Sequence, residues 1–306
     1  MSLNHLSKIV FLLFFTISLS AQTNLRNLGI PYASFTKNYK PLAVCENTKL
    51  EAQLNQKLKQ NPTWRKLIQQ KKMSVALVDM SNSKNIRFAE VNGDKMMYAA
   101  SLPKIAILLA AVDAIDKGEL KETTAVKKDM QLMIAKSNNQ ASTRMIDRLG
   151  YQKIANILTN PRYNLYDKSN GGGLWVGKRY AAGGEKNPDP LQGLSHAATA
   201  SQVAKFYYMM AHGKLVSPKR SEQMMQIMVN PKLHHKFVNT LEKIAPKAKL
   251  FRKSGSWSVY HSDSIMVWGP KRQYILVALV EDANGEQIIR QIAKEVDSLV
   301  TKKKSL

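Results

Sequence analysis

A serine and a lysine three residues apart stand at the start of an apolar run. In the stretch YAASLPKIAILLAAVDAIDKG, residues 98–118, Ser101 precedes Lys104, and residues 105–115 are apolar on nearly every side. Residues three apart lie on one face of a helix, so a helix here would bring both side chains within reach of one proton. A hydroxyl beside an amine is an arrangement that activates a nucleophile. We therefore expect Ser101 to be a nucleophile and Lys104 its base.

The spacing alone is weak evidence, because Ser-x-x-Lys also occurs at residues 34–37 and 81–84. The context distinguishes Ser101. It follows two strand-like runs and opens a helix, whose unpaired amides and dipole favour developing negative charge. Two polar motifs follow downstream, Ser-Asn-Asn at residues 137–139 and Lys-Ser-Gly at residues 253–255.

In this order the three motifs resemble the S-x-x-K, S-D-N and K-T-G signature of penicillin-recognising serine enzymes, particularly class A β-lactamases. The resemblance extends from about residue 49 to the C-terminus. It implies an α+β fold of the β-lactamase and transpeptidase type. That fold has a mostly antiparallel five-stranded sheet, flanking helices and a helical subdomain.

The resemblance also implies catalytic roles. Ser101 would be the acylated nucleophile, Lys104 a proton acceptor in the site, and Ser137 a relay that passes a proton to the leaving nitrogen. Elementary chemistry agrees, because acyl transfer at neutral pH needs an activated hydroxyl, a preorganised pair of donors and a cationic anchor.

Substrate-binding roles are implied for the other motif residues. Asn139 would hold the substrate amide, and Lys253 and Ser254 would bind the substrate carboxylate, with Gly255 completing the motif. The backbone amide of Ser256 and that of the nucleophile would form the oxyanion hole.

Two departures from the family pattern concern the second motif. Asn138 replaces the acidic residue, and we interpret it as a neutral amide that keeps the same hydrogen bonds. The interval between Ser101 and Ser137 is also shorter than in typical class A β-lactamases, so we expect a wider mouth to the active site.

The third departure concerns release of the acyl group. Class A β-lactamases use water activated by a glutamate in an E-x-x-L-N loop, and residues 149–199 contain no such motif. Glu185 is the one glutamate there, and we take it as the candidate catalytic base, although Pro188 and Asp189 follow it where Leu and Asn would be expected. Asp167 and Asp189 are the other candidate carboxylates, and a loop charge without a catalytic role is the alternative for each.

Periodicity and turn residues predict the elements that position these motifs. The pattern indicates a helix and a hairpin before Ser101, further helices after it, a Gly-rich irregular stretch, and then three strands and a closing helix. Strands at both ends of the domain imply one sheet built from both termini. The predicted helices are residues 49–70, 105–115, 128–149, 200–212 and 286–300, and the predicted strands are residues 73–80, 85–91, 249–257, 262–269 and 274–282.

The N-terminus predicts export. One lysine precedes an apolar run from Ile9 to Leu19, which is typical of a secretory signal and short for a membrane span. We expect a signal peptide at residues 1–21, an extended segment at 22–48 and a single serine hydrolase domain at 49–306. The mature protein would be periplasmic or secreted, without a transmembrane anchor, and monomeric.

Charge and composition limit the classes of partner that the protein is expected to bind. The chain has 306 residues, and 46 basic against 22 acidic residues give a net charge of +24. The lysines are spread along the chain without the aromatic pattern of a nucleic-acid module, so we expect no nucleic acid and favour general affinity for anionic envelope polymers. His234 and His235 lack the spacing of a ligand set, and we expect neither metal nor cofactor. Cys45 is the only cysteine, so no internal disulfide can form.

Three functions remain open on these grounds. The first is a β-lactamase-like hydrolase that acylates Ser101 with β-lactams and releases the product with water. The second is a D-alanyl-D-alanine carboxypeptidase or penicillin-binding protein acting on peptidoglycan. The third is a non-catalytic protein that holds cell-wall fragments.

Overall fold

The structure is a computed structural model that describes residues 39–269 and 271–301. The predicted signal peptide and most of the predicted extended segment lie outside the described residues. The described end of that segment contains a 3-10 helix, Leu42–Cys45. Among the described residues, no helix combines the length and the apolar character needed to cross a membrane.

The described residues form ten strands: β1 (Met73–Asp79), β2 (Arg87–Val91), β3 (Met97–Tyr98), β4 (Tyr166–Asp167), β5 (Gly172–Gly173), β6 (Trp175–Val176), β7 (His196–Ala198), β8 (Lys249–Trp257), β9 (Tyr260–Gly269) and β10 (Arg272–Glu281). Five of them form the sheet at the centre of the molecule, in the order β2-β1-β10-β9-β8, and every neighbouring pair is antiparallel. The prediction of an antiparallel sheet built from both ends of the domain is therefore confirmed. The short strands form two small additional sheets, β3-β7-β6 and β4-β5.

Helices cover both faces of this sheet, because its central strands are apolar at successive positions and bury side chains on both sides. One apolar cluster, which includes Val75 and Leu276, packs against the first and last helices. The other, which includes Ala76 and Val277, packs against the helical region that follows Ser101. The helices are α1 (Thr48–Lys59), α2 (Pro62–Gln69), α3 (Lys104–Asp116), α4 (Thr124–Ala135), α5 (Asn139–Leu149), α6 (Tyr151–Thr159), α7 (Ala200–Ala211), α8 (Pro218–Met228), α9 (Phe237–Ile244) and α10 (Gly285–Thr301).

Two predicted helices are each interrupted. The helix expected over residues 49–70 is α1 followed by α2, because Pro62 begins a new helix and the Asn61 side chain accepts a hydrogen bond from the Trp64 amide. The helix expected over residues 128–149 belongs to α4 and α5. These breaks are local, so the predicted order of elements holds.

Helix α3 is buried along almost its whole length, as its uniformly apolar sequence predicts. It begins at Lys104 rather than at Ser101, and Ser101 lies in the turn that leads into it. Helices α6, α8 and α9 were not predicted from the sequence. They complete the cover of the sheet and of α3.

Candidate active site

The turn that carries Ser101 packs directly against strand β8. A Cβ atom at Gly255 would lie 2.2 Å from the carbonyl oxygen of Ala99 and 2.6 Å from the Ser101 nitrogen, so only glycine allows this approach. The Ser262 hydroxyl, on the neighbouring strand, donates to the same Ala99 oxygen at 2.9 Å. The sheet edge and the turn that carries Ser101 are therefore held together by backbone contact.

The residue before Ser101 has an uncommon backbone conformation. Ala100 has φ +51°, in the left-handed region that non-glycine residues seldom adopt. Such strain is often found at active sites. Among the described residues the Ser101 N–H has no hydrogen-bond acceptor, which leaves it available to a ligand oxygen.

Lys104 is completely buried, and its amine points toward the second motif. Its Nζ donates to the Ser137 carbonyl oxygen at 2.7 Å and to Asn139 Oδ1 at 2.7 Å. Burial lowers the pKa of Lys104 to about 7, because the charged form loses hydration. The structure contains no hydrogen bond between Lys104 Nζ and the Ser101 hydroxyl, so proton transfer between these two side chains stays a prediction. The amine is instead engaged by the second motif.

Ser137 lies in the sharp break between α4 and α5. Its φ is +54°, and the Asn138 side chain caps α5 by accepting a hydrogen bond from the Ala141 amide at 2.8 Å. The neutral side-chain amide of Asn138 thus acts as the N-cap of α5. This geometry presents the Ser137 hydroxyl and the Asn139 amide to Lys104.

Lys253 approaches the same hydroxyl from the sheet. Its Nζ donates to Ser137 Oγ at 2.9 Å and to the Ser254 carbonyl oxygen at 2.6 Å. Burial, followed by the nearby charges of Lys104 and Arg252, holds the pKa of Lys253 well below that of an ordinary lysine. The three motifs that the sequence singles out therefore meet around one hydroxyl group.

The end of β8 carries the predicted substrate-binding residues. Ser254 is buried, Ser256 is exposed, and Gly255 contacts the turn that carries Ser101. Because β8 is the edge strand of the sheet, part of its backbone faces away from β9 and can pair with a ligand. The role of the Ser256 amide in an oxyanion hole stays a prediction.

Lys236 is a buried residue at this edge that sequence reasoning missed. Its Nζ donates to the Ser256 hydroxyl at 2.8 Å, to the Ser262 carbonyl oxygen at 3.0 Å and to the Gly255 carbonyl oxygen. Burial lowers its pKa to about 8. It is one of 46 basic residues and belongs to no motif, so no sequence signal distinguishes it.

Tyr180 covers the remaining side of the Lys104 amine, and it was also missed. Its ring centroid lies 4.3 Å from Lys104 Nζ, and its hydroxyl donates to the Ala100 carbonyl oxygen at 3.2 Å. The His196 ring packs 4.3 Å from the Tyr180 ring, and burial lowers the His196 pKa to about 4. An aromatic pair, rather than a carboxylate, is thus the neighbour of Lys104 on this side.

The loop carboxylates are placed differently from the motif residues. Asp189 is buried and accepts hydrogen bonds from the Tyr166 hydroxyl and three loop amides. Asp167 accepts from two asparagine side chains and the Ser169 amide, and these bonds lower its pKa. Both carboxylates stabilise loop geometry.

Glu185 has an exposed side chain, and its carbonyl oxygen accepts a hydrogen bond from the Tyr151 hydroxyl at 3.2 Å. Among the described residues no carboxylate lies within 4 Å of the Lys104 ammonium. The structure therefore gives Glu185 no ion pair with Lys104, and its catalytic role stays a prediction.

Comparison with solved structures supports the same architecture. A β-lactamase from Sphaerobacter thermophilus is 18% identical, with a TM-score of 0.61 over 74% of this chain and 91% of that one. A β-lactamase from Xanthomonas campestris is 16% identical, with a TM-score of 0.64 over 82% and 98%. PBP-A is 19% identical, with a TM-score of 0.60 over 83% and 96%. At this identity the likeness establishes the fold.

The sequence was compared with curated proteins and with family profiles. No curated protein sequence matches the chain. The family profile described as the beta-lactamase enzyme family matches residues 53–131 and 121–300, which together include all three motifs. This match confirms the resemblance that the motifs predict, and the chain therefore belongs to the beta-lactamase enzyme family.

Proposed function

We propose that the protein is a serine hydrolase that forms an acyl-enzyme at Ser101 with β-lactams or related cyclic amides and hydrolyses it slowly. The observation that carries the proposal is the convergence of Lys104 and Lys253 on the Ser137 hydroxyl, beside the turn that bears Ser101. A mutant of PBP-A has been solved as an acyl-enzyme complex with penicillin G, which supports this chemistry for the fold.

In acylation, a bond from the carbonyl carbon to the Ser101 oxygen would replace the carbon–nitrogen bond of the substrate. The Ser101 oxygen bonds to the carbonyl carbon while its proton moves to the neutral Lys104 amine, which has a pKa of about 7 and is half deprotonated near neutral pH. The carbon–nitrogen bond then breaks, and the nitrogen takes the Ser137 hydroxyl proton. Lys104 or Lys253 returns a proton to Ser137.

The backbone would stabilise the negative charge that develops on the carbonyl oxygen. The Ser101 N–H, which has no acceptor among the described residues, supplies one donor, and the Ser256 amide would supply the other. Lys253 and Ser254 would bind the substrate carboxylate, and Asn139 the substrate amide.

Release of the acyl group would be the slow step. Water must add to the ester and return the oxygen to Ser101, and a general base assists that addition. The carboxylates of Asp167 and Asp189 are engaged in loop hydrogen bonds, and Glu185 is exposed. Lys104 would be the base for both steps, with poor turnover as the consequence.

A D-alanyl-D-alanine peptidase acting on peptidoglycan is the second candidate. The aromatic neighbour of Lys104 favours it, because this peptidase reaction uses the same three motifs without the β-lactamase glutamate. Export to the envelope, predicted from the N-terminal sequence, fits both candidates and is testable by cell fractionation.

The deciding experiment combines covalent labelling with turnover. Wild-type protein should retain a fluorescent penicillin on a denaturing gel and hydrolyse a chromogenic cephalosporin slowly. Ser101→Ala should lose the label, whereas Ser81→Ala, which alters another Ser-x-x-Lys, should keep it. Equal labelling of wild type and Ser101→Ala would disprove the proposal, and rapid hydrolysis of D-alanyl-D-alanine peptides would favour the second candidate.

A further inference from the structure

An open cleft adjoins the site on the side of Asn139. Asn139, whose Oδ1 accepts the Lys104 hydrogen bond, forms part of its wall, and the cleft encloses about 640 Å³. It extends past Tyr180 and His196 to the turn that follows β8. A substrate whose amide is held at Asn139 would direct one of its substituents into this space.

The charge of the cleft is positive. Lys178 and Arg179 are its charged lining residues, and no Asp or Glu lines it. Arg179 is partly neutralised, because its Nε donates to Asp147 Oδ1 at 2.6 Å and both side chains are about 40% exposed. The Lys178 ammonium, in contrast, has no carboxylate within 4 Å among the described residues.

The far wall of the cleft is aromatic. The Tyr260 ring packs edge-on against Tyr98, with centroids 5.3 Å apart, and Trp257 is 66% exposed in the same wall. Large exposed apolar side chains in a cleft indicate a binding surface. Here they offer apolar faces beside a lysine that lacks a counter-charge.

We propose that this cleft binds an acyl-donor substituent that ends in a carboxylate, with Lys178 holding the carboxylate and the aromatic wall covering the aliphatic part. The proposal rests on the proposed function in one respect, since the amide to be cleaved lies at Ser101. Substituents with a terminal amine are disfavoured by like charge, and neutral ones gain only the apolar contact.

The test compares two dipeptides that differ in one charge. N-succinyl-D-alanyl-D-alanine and N-butyryl-D-alanyl-D-alanine have acyl chains of equal length, and only the first ends in a carboxylate. Their affinities are measured by NMR titration on Ser101→Ala, which binds without reacting. A charge-assisted contact on a half-exposed lysine predicts about fivefold to tenfold tighter binding of the succinyl compound.

Variants test whether the preference for the succinyl compound depends on Lys178. Lys178→Met should abolish the preference, and Lys178→Arg should retain it. Lys168→Met is the matched control, because Lys168 is an exposed lysine of the same region that does not line the cleft, and it should leave the preference unchanged. Equal affinities for the two dipeptides, no measurable binding of either, or a preference that survives Lys178→Met in correctly folded protein would overturn the proposal.

The cleft proposal and acylation at Ser101 can fail independently of each other. Penicillin labelling of wild type without any succinyl preference would overturn the cleft alone. A succinyl preference that Lys178→Met removes, together with no labelling, would overturn acylation at Ser101 and leave the cleft standing.

Discussion

Lys253 Nζ lies 2.9 Å from the Ser137 hydroxyl oxygen, and this hydrogen bond connects the edge strand of the sheet with the break between α4 and α5. Lys104 Nζ lies 3.4 Å from the same oxygen. Two buried amines this close to one hydroxyl disfavour double protonation, because like charges repel in a poorly hydrated site. A proton can therefore move between them through Ser137.

We expect acylation to depend on the protonation of Lys104. Burial lowers its pKa to about 7, and only the neutral amine accepts a proton, so the second-order acylation rate should rise with pH up to about 7 and then level off. Stopped-flow measurement with a penicillin between pH 5 and 8 gives the profile. Lys104→Met should lower the rate by about 10²–10⁴ and remove this dependence. A wild-type profile that is flat over this range would exclude Lys104 as the base.

Lys253→Ala should weaken acylation by substrates that carry a carboxylate. A charge-assisted hydrogen bond contributes about 1.5–3 kcal/mol, so the loss should be about tenfold to a hundredfold. An uncharged ester of the same substrate should lose less, and the ratio of the two rates is the measurement. Equal losses would mean that Lys253 acts on the proton path through Ser137 rather than on the carboxylate.

Glu185→Gln tests the loop glutamate as a base for deacylation. Its exposed position predicts that turnover stays within about twofold of wild type and that mass spectrometry shows a persistent penicillin adduct in both proteins. If the variant instead accumulates adduct that wild type clears, with acylation unchanged, Glu185 is the base. Fast deacylation in both proteins would contradict the slow release proposed here.

Asp189→Ala should destabilise the fold. The buried carboxylate accepts hydrogen bonds at 2.6–3.1 Å from the Tyr166 hydroxyl and the amides of Leu191, Gln192 and Leu194, and removing it leaves these donors unpaired. We expect the free energy of unfolding, measured in urea, to fall by about 2–4 kcal/mol. Glu185→Gln, which changes an exposed carboxylate in the same loop, is the control and should leave it unchanged. A stable Asp189→Ala variant would show that the loop is held by other contacts.

Much of the fold could be predicted from the sequence because its central elements are distinct apolar segments bounded by polar and turn residues. The apolar residues of α3 and the continuous apolar runs around Val75 and Val277 indicate burial without tertiary information. The break at Ser137 could not be predicted in this way, because the helical pattern continues across it. Its position depends on a left-handed residue and on the Asn138 cap.

Only those residues of the site that belong to the three motifs could be predicted from the sequence. Each motif residue is identified by short-range spacing, whereas Lys236 and Tyr180 reach the site from segments whose placement depends on the packed structure. Asp189 illustrates the same limit, because three of its four partners are backbone amides. A sequence does not reveal which amides a loop turns inward.

The contact of Gly255 with the turn that carries Ser101 has a consequence for redesign of the protein. Backbone atoms, which every substitution keeps, fix the distance between Ser101 and the edge of the sheet. A library that randomises the cleft rim at Tyr98, Trp257 and Tyr260 could therefore change ligand selectivity while the backbone of Ser101 keeps its position. At Gly255 itself, selection should return only glycine, because any Cβ atom there would collide with the backbone of residues 99–102.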